Sequence, residues 1–501
     1  MKQSLFCFLL ALILAGCGLE APPAVCSHVD ADDNALCDNC AESLSVVVDF
    51  YNINDLHGKI VDNNTQPGVD ELTTYLNNAR ETDDHVILLS SGDMWQGSSE
   101  SNLTNGQLTT EWMNALDFDA MTLGNHEFDW GETPIEENAA IAEFPFLAIN
   151  IYEHADDTLV DYCQPSVLVD LGEVQVGIIG AIGDCYSSIS ADKTKDVYFK
   201  TGDELTFLVM AESDRLRREG ADLIVYVLHD GYGDSTGSTT TSVTSRKLSS
   251  YYNTVLSEGY VDLVFEGHTH QRYLLQDEHG VYHMQNGGEN KGISHVEVEI
   301  NSVTGTTHVR QPNLVASSNY ASLEDDPIVE QLLEKYQDQI APAKEILGRN
   351  SYNRRSYQLK QIVADCYYDL GMEVWGDEYD LVLGGGFISV RSPYELPAGE
   401  VTYGQLQMLL PFDNQLVLCS IKGSELRSKF FETKNDNYYI CYGDYGASVK
   451  RNINPNATYY LVTDTYSSLY APNKLTEIER YDPDVFARDL VADYIRAGGM
   501  E

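Results

Sequence analysis

The sequence predicts a two-domain α/β protein: a first domain of layered sheets and helices, a helical linker, and a smaller second domain of mixed helix and strand. Three observations lead there. At 501 residues the chain is longer than one hydrophobic core usually serves. From Val46 onward, short aliphatic and β-branched runs, each closed by a polar cluster, alternate with stretches of helical periodicity. After Asn313 the pattern changes, with Ile328, Val329, Leu332, Leu333, Tyr336 and Ile340 at helical spacing among acidic residues.

In chain order, Lys2 precedes an apolar run from Leu5 to Leu14, small residues and then Cys17, which reads as a signal peptide over residues 1–17. The order Leu14, Ala15, Gly16, Cys17 resembles a bacterial lipobox, in which the cysteine carries lipid; a plain cleaved signal with an incidental cysteine is the other reading. The run is too short to span a membrane as a helix. Residues 18–44 are rich in Asp, Ala, Pro and Cys without apolar periodicity and read as a tether. Within it, Cys26, His28, Cys37 and Cys40 have zinc-like chemistry, and Asp30, Asp32 and Asn34 mimic the start of a calcium loop but lack its Gly and late Glu. A disulfide in a flexible linker fits the same cysteines. The later Cys163, Cys185, Cys366, Cys419 and Cys441 are odd in number and carry no assigned pairing.

Val46–Val48, Val86–Leu89, Leu223–Leu228 and Val261–Phe265 read as buried strands, and Leu72–Arg80 and Leu205–Arg218 as helices between them. These place a first domain at residues 45–315, a linker helix at 316–346 disturbed near its end by Pro342, and a second domain at 347–501. The charge balance, Lys+Arg 31 against Asp+Glu 78 for a formal net charge of −47, argues against nucleic-acid polymers and against electrostatic docking on anionic lipid. Any membrane attachment then rests on a lipid at Cys17.

Five clusters carry the chemistry: Asn54-Asp55-Leu56-His57-Gly58, Gly92-Asp93, Gly124-Asn125-His126-Glu127-Phe128-Asp129, His229, and Gly267-His268-Thr269-His270. Each follows an expected strand. Carboxylates, imidazoles and an amide oxygen gathered on loops at one sheet edge are what a pair of divalent ions requires, with one carboxylate able to bridge. Singly, each cluster has a structural reading as a turn or a strand face; their joint occurrence in this order does not.

These strings resemble the 5'-nucleotidase family of the calcineurin-like metallophosphoesterases, over nearly everything after the tether. The resemblance implies a four-layer α/β sandwich for the first domain and an α+β substrate-binding second domain. It implies two divalent metal ions, zinc, manganese or another: one held by Asp55, His57, Asp93 and His270, the other by Asp93, Asn125, His229 and His268. It also implies a catalytic dyad of His126 and Asp129; for His126 a third ligand position, and for Asp129 a helix N-cap, remain open from the residues alone. Glu127 reads as structural.

The second domain carries further landmarks of the family in Gly384-Gly385-Gly386, Gly404, Pro411-Phe412 and Gly423. There the resemblance matches Arg355 to an early substrate arginine and Tyr439 and Tyr466 to two rings that sandwich a base. Leu383 and Ile388 stand where relatives have Asn and Arg, with Arg391 a nearby substitute, and Tyr470-Ala471-Pro472 replaces a late Gly-Gly-Asp. The leading expectation is a 5'-nucleotidase that releases phosphate from extracellular nucleotides. A cyclic-nucleotide, UDP-sugar or other phosphodiester hydrolase keeps the metals and changes the ester. A catalytically silent surface binding lipoprotein is the reading from another class, against which the complete ligand set argues. The resemblance also implies a domain rotation, with a hinge near Leu332.

Overall fold

The computed structural model describes residues 26–62, 68–232, 259–277, 279–387, 395–431, 438–441, 443–470 and 475–500. The signal peptide and Cys17, together with Ile388 and Arg391, lie outside the described residues.

In the first domain the strands are β1 (Ser45–Ile53), β2 (Val86–Ser90), β3 (Ala120–Thr122), β4 (Phe146–Leu147), β5 (Ile151–Glu153), β6 (Ser166–Asp170) and β7 (Gln175–Ile182). They continue with β8 (Val197–Phe199), β9 (Leu223–His229), β10 (Leu263–Glu266), β11 (Arg272–Gln276), β12 (Tyr282–Asn286), β13 (Gly292–Asn301) and β14 (Thr307–Ala316). Two six-stranded sheets result, ordered β14-β13-β1-β2-β3-β4 and β11-β12-β10-β9-β7-β6. The central strands β1, β2, β3 and β4 run parallel, as do β7, β9, β10 and β12, while β13, β14, β6 and β11 are antiparallel additions at the edges.

Strand alternation turns this into four layers. Val46, Val48 and Phe50 of β1 point inward and pack with Val176, Ile178, Val225, Val227, Leu263 and Phe265 of the other sheet. Tyr51 and Ile53 belong to the outer cluster with Leu72 and Leu76 of the helix Asp70–Thr82 and Leu108, Trp112 and Met113 of Gln107–Ala115. On the other side Ile179, Ala181, Ile224 and Tyr226 meet Leu205, Val209 and Leu216 of Asp203–Glu219. The parallel core leaves the C-terminal ends of β1, β2, β3, β9 and β10 at one edge, where a crossover sheet presents its loops.

Residues 26–44 fold against the opposite end of the first sheet. An isolated bridge joins Leu36 to Ser43, and the Asp30 carboxylate accepts from the Asn301 side chain at 2.6 Å. Beyond β14, the helix Pro327–Lys335 starts at Asp326, whose side chain accepts from Ile328 N, with Pro at its first turn. Val329, Leu332, Tyr336 and Ile340 are buried in the outer core of the first domain, so this connection packs there. The helical path shifts to a short turn Gln337–Ile340 and a 3-10 turn Ala341–Lys344 that holds Pro342.

The second domain holds β15 (Ile346–Asn350), β16 (Leu381–Phe387), β17 (Gly399–Thr402), β18 (Leu416–Lys422), β19 (Tyr438–Cys441), β20 (Thr458–Asp464) and β21 (Thr476–Arg480). Five of them form a sheet in the order β19-β16-β20-β18-β21, with only β16 and β20 parallel. Helices Ser356–Trp375 and Ala487–Arg496 cover one face. Leu383 is fully buried on the other, among Val417, Cys419 and Leu461, which is why an apolar residue sits at this point of the glycine string.

Asp464, at the end of β20, is buried and accepts from Ser467 N at 2.7 Å and from the Ser467 hydroxyl at 3.0 Å. Burial outweighs these bonds and pushes its carboxyl from 3.8 up to about 6. The folded state therefore holds a proton that the unfolded chain has released, so this group's contribution to stability falls as pH rises from about 4 to about 6, by about 3 kcal/mol. The Asp464→Asn protein should lose less stability than the parent across that window in urea titrations at each pH.

Candidate active site

The donor-bearing loops begin where the parallel strands end. Asp55 and His57 follow β1, Asp93 follows β2, Asn125 and His126 follow β3, His229 closes β9, and His268 and His270 follow β10. Asp55, His57, Asp93, Asn125 and His229 are buried. Among the described residues fourteen non-glycine residues have positive φ, and Asp55, His57, Asp93, His268 and His270 are five of them. Left-handed backbone costs a side-chain-bearing residue about 1–2 kcal/mol, so its concentration in one cluster points to a functional constraint rather than to chance. Gly92, at φ +85°, takes the sharpest part of the turn that delivers Asp93.

Second contacts fix each imidazole. His57 donates through Nδ1 to the Gln96 carbonyl at 2.8 Å, and His229 through Nδ1 to the Ser91 carbonyl at 2.6 Å. In both rings Nε2 then faces the cluster, the orientation a metal ligand needs. His57 Nε2 and His270 Nε2 stand 3.0 Å apart, with Asp55 Oδ1 3.4 Å from His270 Nε2. His229 Nε2 is 3.2 Å from Asp93 Oδ2 and 3.1 Å from Asn125 Oδ1, and His268 Nδ1 is 2.8 Å from the same amide oxygen. Ligand atoms converge within 4.8 Å in two groups that share Asp55, namely Asp55, His57 and His270, and Asp55, Asp93 and His229.

Charge makes the same case. Burial opposes a proton on His229, yet Asp93 and Asp55 raise its imidazole to about 10. Burial would likewise raise Asp93, but His229, His126 and His57 hold its carboxyl well below the usual range. An anionic cluster that draws positive charge this strongly, lined by hard oxygens and oriented nitrogens, fits divalent cations.

Glu127 organises the loops. Its buried carboxylate accepts from the backbone N–H groups of Asp93 at 2.9 Å, Met94 at 2.8 Å and Gly124 at 2.7 Å, tying the β2 and β3 loops together. Glu127→Ala leaves these donors unpaired at about 1–3 kcal/mol each, and should lower the unfolding midpoint sharply in a thermal melt. Cys185 escaped the sequence reading: its buried thiol donates to the His229 carbonyl at 2.9 Å, and its sulfur lies beside His229 and His268. Distance along the chain hid that contact.

His126 sits at the rim. Its backbone N–H donates to Asp93 Oδ1 at 2.8 Å, and its Nδ1 is 2.7 Å from Asp129 Oδ2 across a 3-10 turn, His126–Phe128. Both line a cleft of about 660 Å³ together with Asp93, Asn125, His268 and His270. Its far wall comes from the second domain, through Phe412, Tyr466, Arg480 and Phe486. The Phe412 ring stacks on His126 at 5.7 Å between centroids and lies nearly parallel to Tyr466, at 6.1 Å and 8°. The sequence marked Phe412 only as a landmark; its place opposite Tyr466 depends on how two distant loops fold.

Of the other expected substrate residues, Tyr439 lies on β19 with its side chain outside the described residues. Arg355 does not line this cleft: it stands before the helix Ser356–Trp375, three-quarters exposed, 3.6 Å from Glu395. Arg480 and Lys193 are the cationic side chains of the cleft among the described residues.

Parallel sheets with a histidine and carboxylate cluster at one edge, faced by a second domain across a cleft, define a metal-dependent phosphoester hydrolase. Residues 49–272 match the calcineurin-like phosphoesterase family, and residues 339–471 match the 5'-nucleotidase C-terminal domain. The chain thus carries a calcineurin-like phosphoesterase domain followed by a 5'-nucleotidase C-terminal domain. It is 24% identical over 442 residues to a 5'-nucleotidase of Diplobatis ommata, covering 78% of this chain and 72% of that one. It is also 24% identical over 444 residues to the protein UshA of Yersinia enterocolitica, covering 77% of each. The structure of a 5'-nucleotidase precursor from Thermus thermophilus shares the fold with a TM-score of 0.68 at 18% identity, over 90% of this chain and 96% of that one. Phosphoesterases of this family use two divalent metal ions, and the donor set described above suits them.

Proposed function

We propose that this protein is a two-metal 5'-nucleotidase that releases phosphate from nucleoside monophosphates outside the cytoplasm. The observation that carries the reading is one cleft lined by the donor cluster, by the His126–Asp129 pair and by the parallel rings of Phe412 and Tyr466. In this reading Asp55, His57, Asp93 and His270 hold one ion, and Asp93, Asn125, His229 and His268 the other, with Asp93 shared. When bound, the ions supply Lewis-acid polarisation of the phosphoryl oxygens and an activated water.

The chain's own residues do the rest. Asp129 fixes the His126 ring through Nδ1 and favours its imidazolium. His126 then meets the substrate through Nε2, offsets charge developing on the phosphoryl group, and delivers a proton to the departing sugar oxygen. Phe412 and Tyr466 hold the base. Their rings are nearly parallel, at 8° with centroids 6.1 Å apart, the orientation a flat base between two rings needs. Arg480 and Lys193 add positive charge to a cleft that also holds Asp192 and Asp413.

Tyr466→Ala should remove one stacking contact of about 1–3 kcal/mol, raising KM for a nucleoside monophosphate roughly 5- to 150-fold while leaving an aryl phosphate unaffected. Equal losses on both substrates would sink the stacking role. Leu383 in the core, where the family has a polar residue, favours testing diesters and UDP-sugars beside the monophosphates. Export and lipid attachment at Cys17 rest on residues 1–17 of the sequence; the Cys17→Ser protein should leave the membrane fraction and appear in soluble extracts. No helix among the described residues is long and apolar enough to cross a membrane.

A further inference from the structure

A second cluster of metal-ligating side chains stands at the opposite end of the first sheet from the phosphoesterase cleft. We propose that Cys26, His28, Cys37 and Cys40 bind one structural zinc ion in a tetrahedral Cys3His site, which clasps residues 26–44 to the first sheet.

The geometry carries this. One ligand atom from each of the four residues lies within 4.8 Å of all the others. Cys26 Sγ and Cys37 Sγ are 3.6 Å apart, and Cys40 Sγ is 3.7 Å from His28 Nδ1. With Zn–S of about 2.3 Å and Zn–N of about 2.0–2.1 Å, a tetrahedron has S···S edges of about 3.8 Å and S···N edges of about 3.6 Å. Both observed distances match those edges. Three thiolates with one imidazole select zinc over calcium or magnesium, which take oxygen. The other nitrogen of His28, Nε2, lies 3.7 Å from the Glu42 carboxylate, the outer partner that orients a ligating histidine.

The surroundings explain why a clasp is needed. Asp33, Ala35 and Ala41 have positive φ within nine residues, and of the side chains from Cys26 to Ser43 only Asp30 and Cys37 are buried. A segment so strained and so poor in core is held by cross-links rather than by apolar burial. The oxygens that mimic a calcium loop are already engaged: Asp30 accepts from Asn34 N at 3.0 Å and Ala35 N at 2.8 Å, and Asp33 accepts from the Asn301 side chain at 3.1 Å and the Thr304 hydroxyl at 2.8 Å. They fasten the knot to the turn between β13 and β14, beside the start of β1. Of the phosphoesterase donors, Asp55 and His57 follow the far end of that same strand, so the clasp serves folding and leaves the reaction alone.

The test uses the full chain, purified and loaded with cobalt(II) in place of zinc. A thiolate-to-cobalt charge-transfer band reports cysteine ligands, which the donor cluster of the cleft does not include. The band should be present in the parent and in Cys185→Ser, which controls for the thiol that lies beside His229 and His268, and absent from Cys37→Ser and from Cys40→Ser. Zinc content of the zinc-loaded chain should fall by one equivalent in both variants, with phosphate release from an aryl phosphate unchanged as proof of folding. A band and a zinc content that survive both substitutions, or a Cys26–Cys37 disulfide found by mass spectrometry in the purified chain, would overturn the proposal.

Discussion

His126→Ala is expected to lower kcat for phosphate release by about 10²- to 10⁴-fold, the range for loss of a positioned proton donor. Its KM should change little and its metal content should stay at the parent level. The reason is the division of labour in the cleft. His126 contributes its backbone N–H to Asp93 Oδ1, a bond the alanine keeps, while its ring stands between Asp129 and Phe412 rather than in either group of converging ligand atoms. Metal loss in this variant would instead make His126 a ligand. Asp129→Asn should follow with a smaller loss, because the ring keeps a hydrogen-bond partner but loses the charge that favours its protonated form. Steady-state kinetics beside metal analysis of the same preparations separates the two roles.

Asp93→Asn is expected to cost more. In the proposed assignment Asp93 belongs to both ligand sets, so the amide weakens both ions at once and removes several kcal/mol of transition-state stabilisation, about 10³-fold or more in rate. Asp93 is buried, 3.2 Å from His229 Nε2, and also anchors the His126 backbone. Metal analysis should show both equivalents reduced, against one for a substitution such as His57→Ala. With the cysteine site already filled, the thermal midpoint of the parent should rise on adding further metal, by linkage to the folded state, and that of Asp93→Asn should not.

Much of this was legible because the informative residues sit where local rules are strongest. Aliphatic runs at Val86–Leu89 and Leu223–Leu228 read as buried strands and form them, and the polar clusters after them fall at strand ends. The convergence of Asp55, His57, Asp93, Asn125, His229, His268 and His270 follows from that topology. The reading was thinner where function depends on contacts across the chain. Phe412 approaches His126 because two domains fold against one cleft, and Cys185 reaches His229 because β7 and β9 are neighbours. Neither has a local signature. Arg355 shows the opposite case, an arginine at a familiar position in the string whose side chain turns to Glu395 and the solvent. Four ligand residues within fifteen positions made the Cys26, His28, Cys37 and Cys40 group visible, but only the inter-ligand distances separate a zinc tetrahedron from a disulfide.

The most direct test of the central claim strips the full chain of metal and follows phosphate release from a nucleoside monophosphate as zinc or manganese is returned, beside Asp93→Asn. The account predicts no release from the stripped protein, recovery that saturates with two equivalents beyond any held by the cysteine site, and none in the variant. Release that is indifferent to metal, or an Asp93→Asn protein that recovers as the parent does, would contradict it.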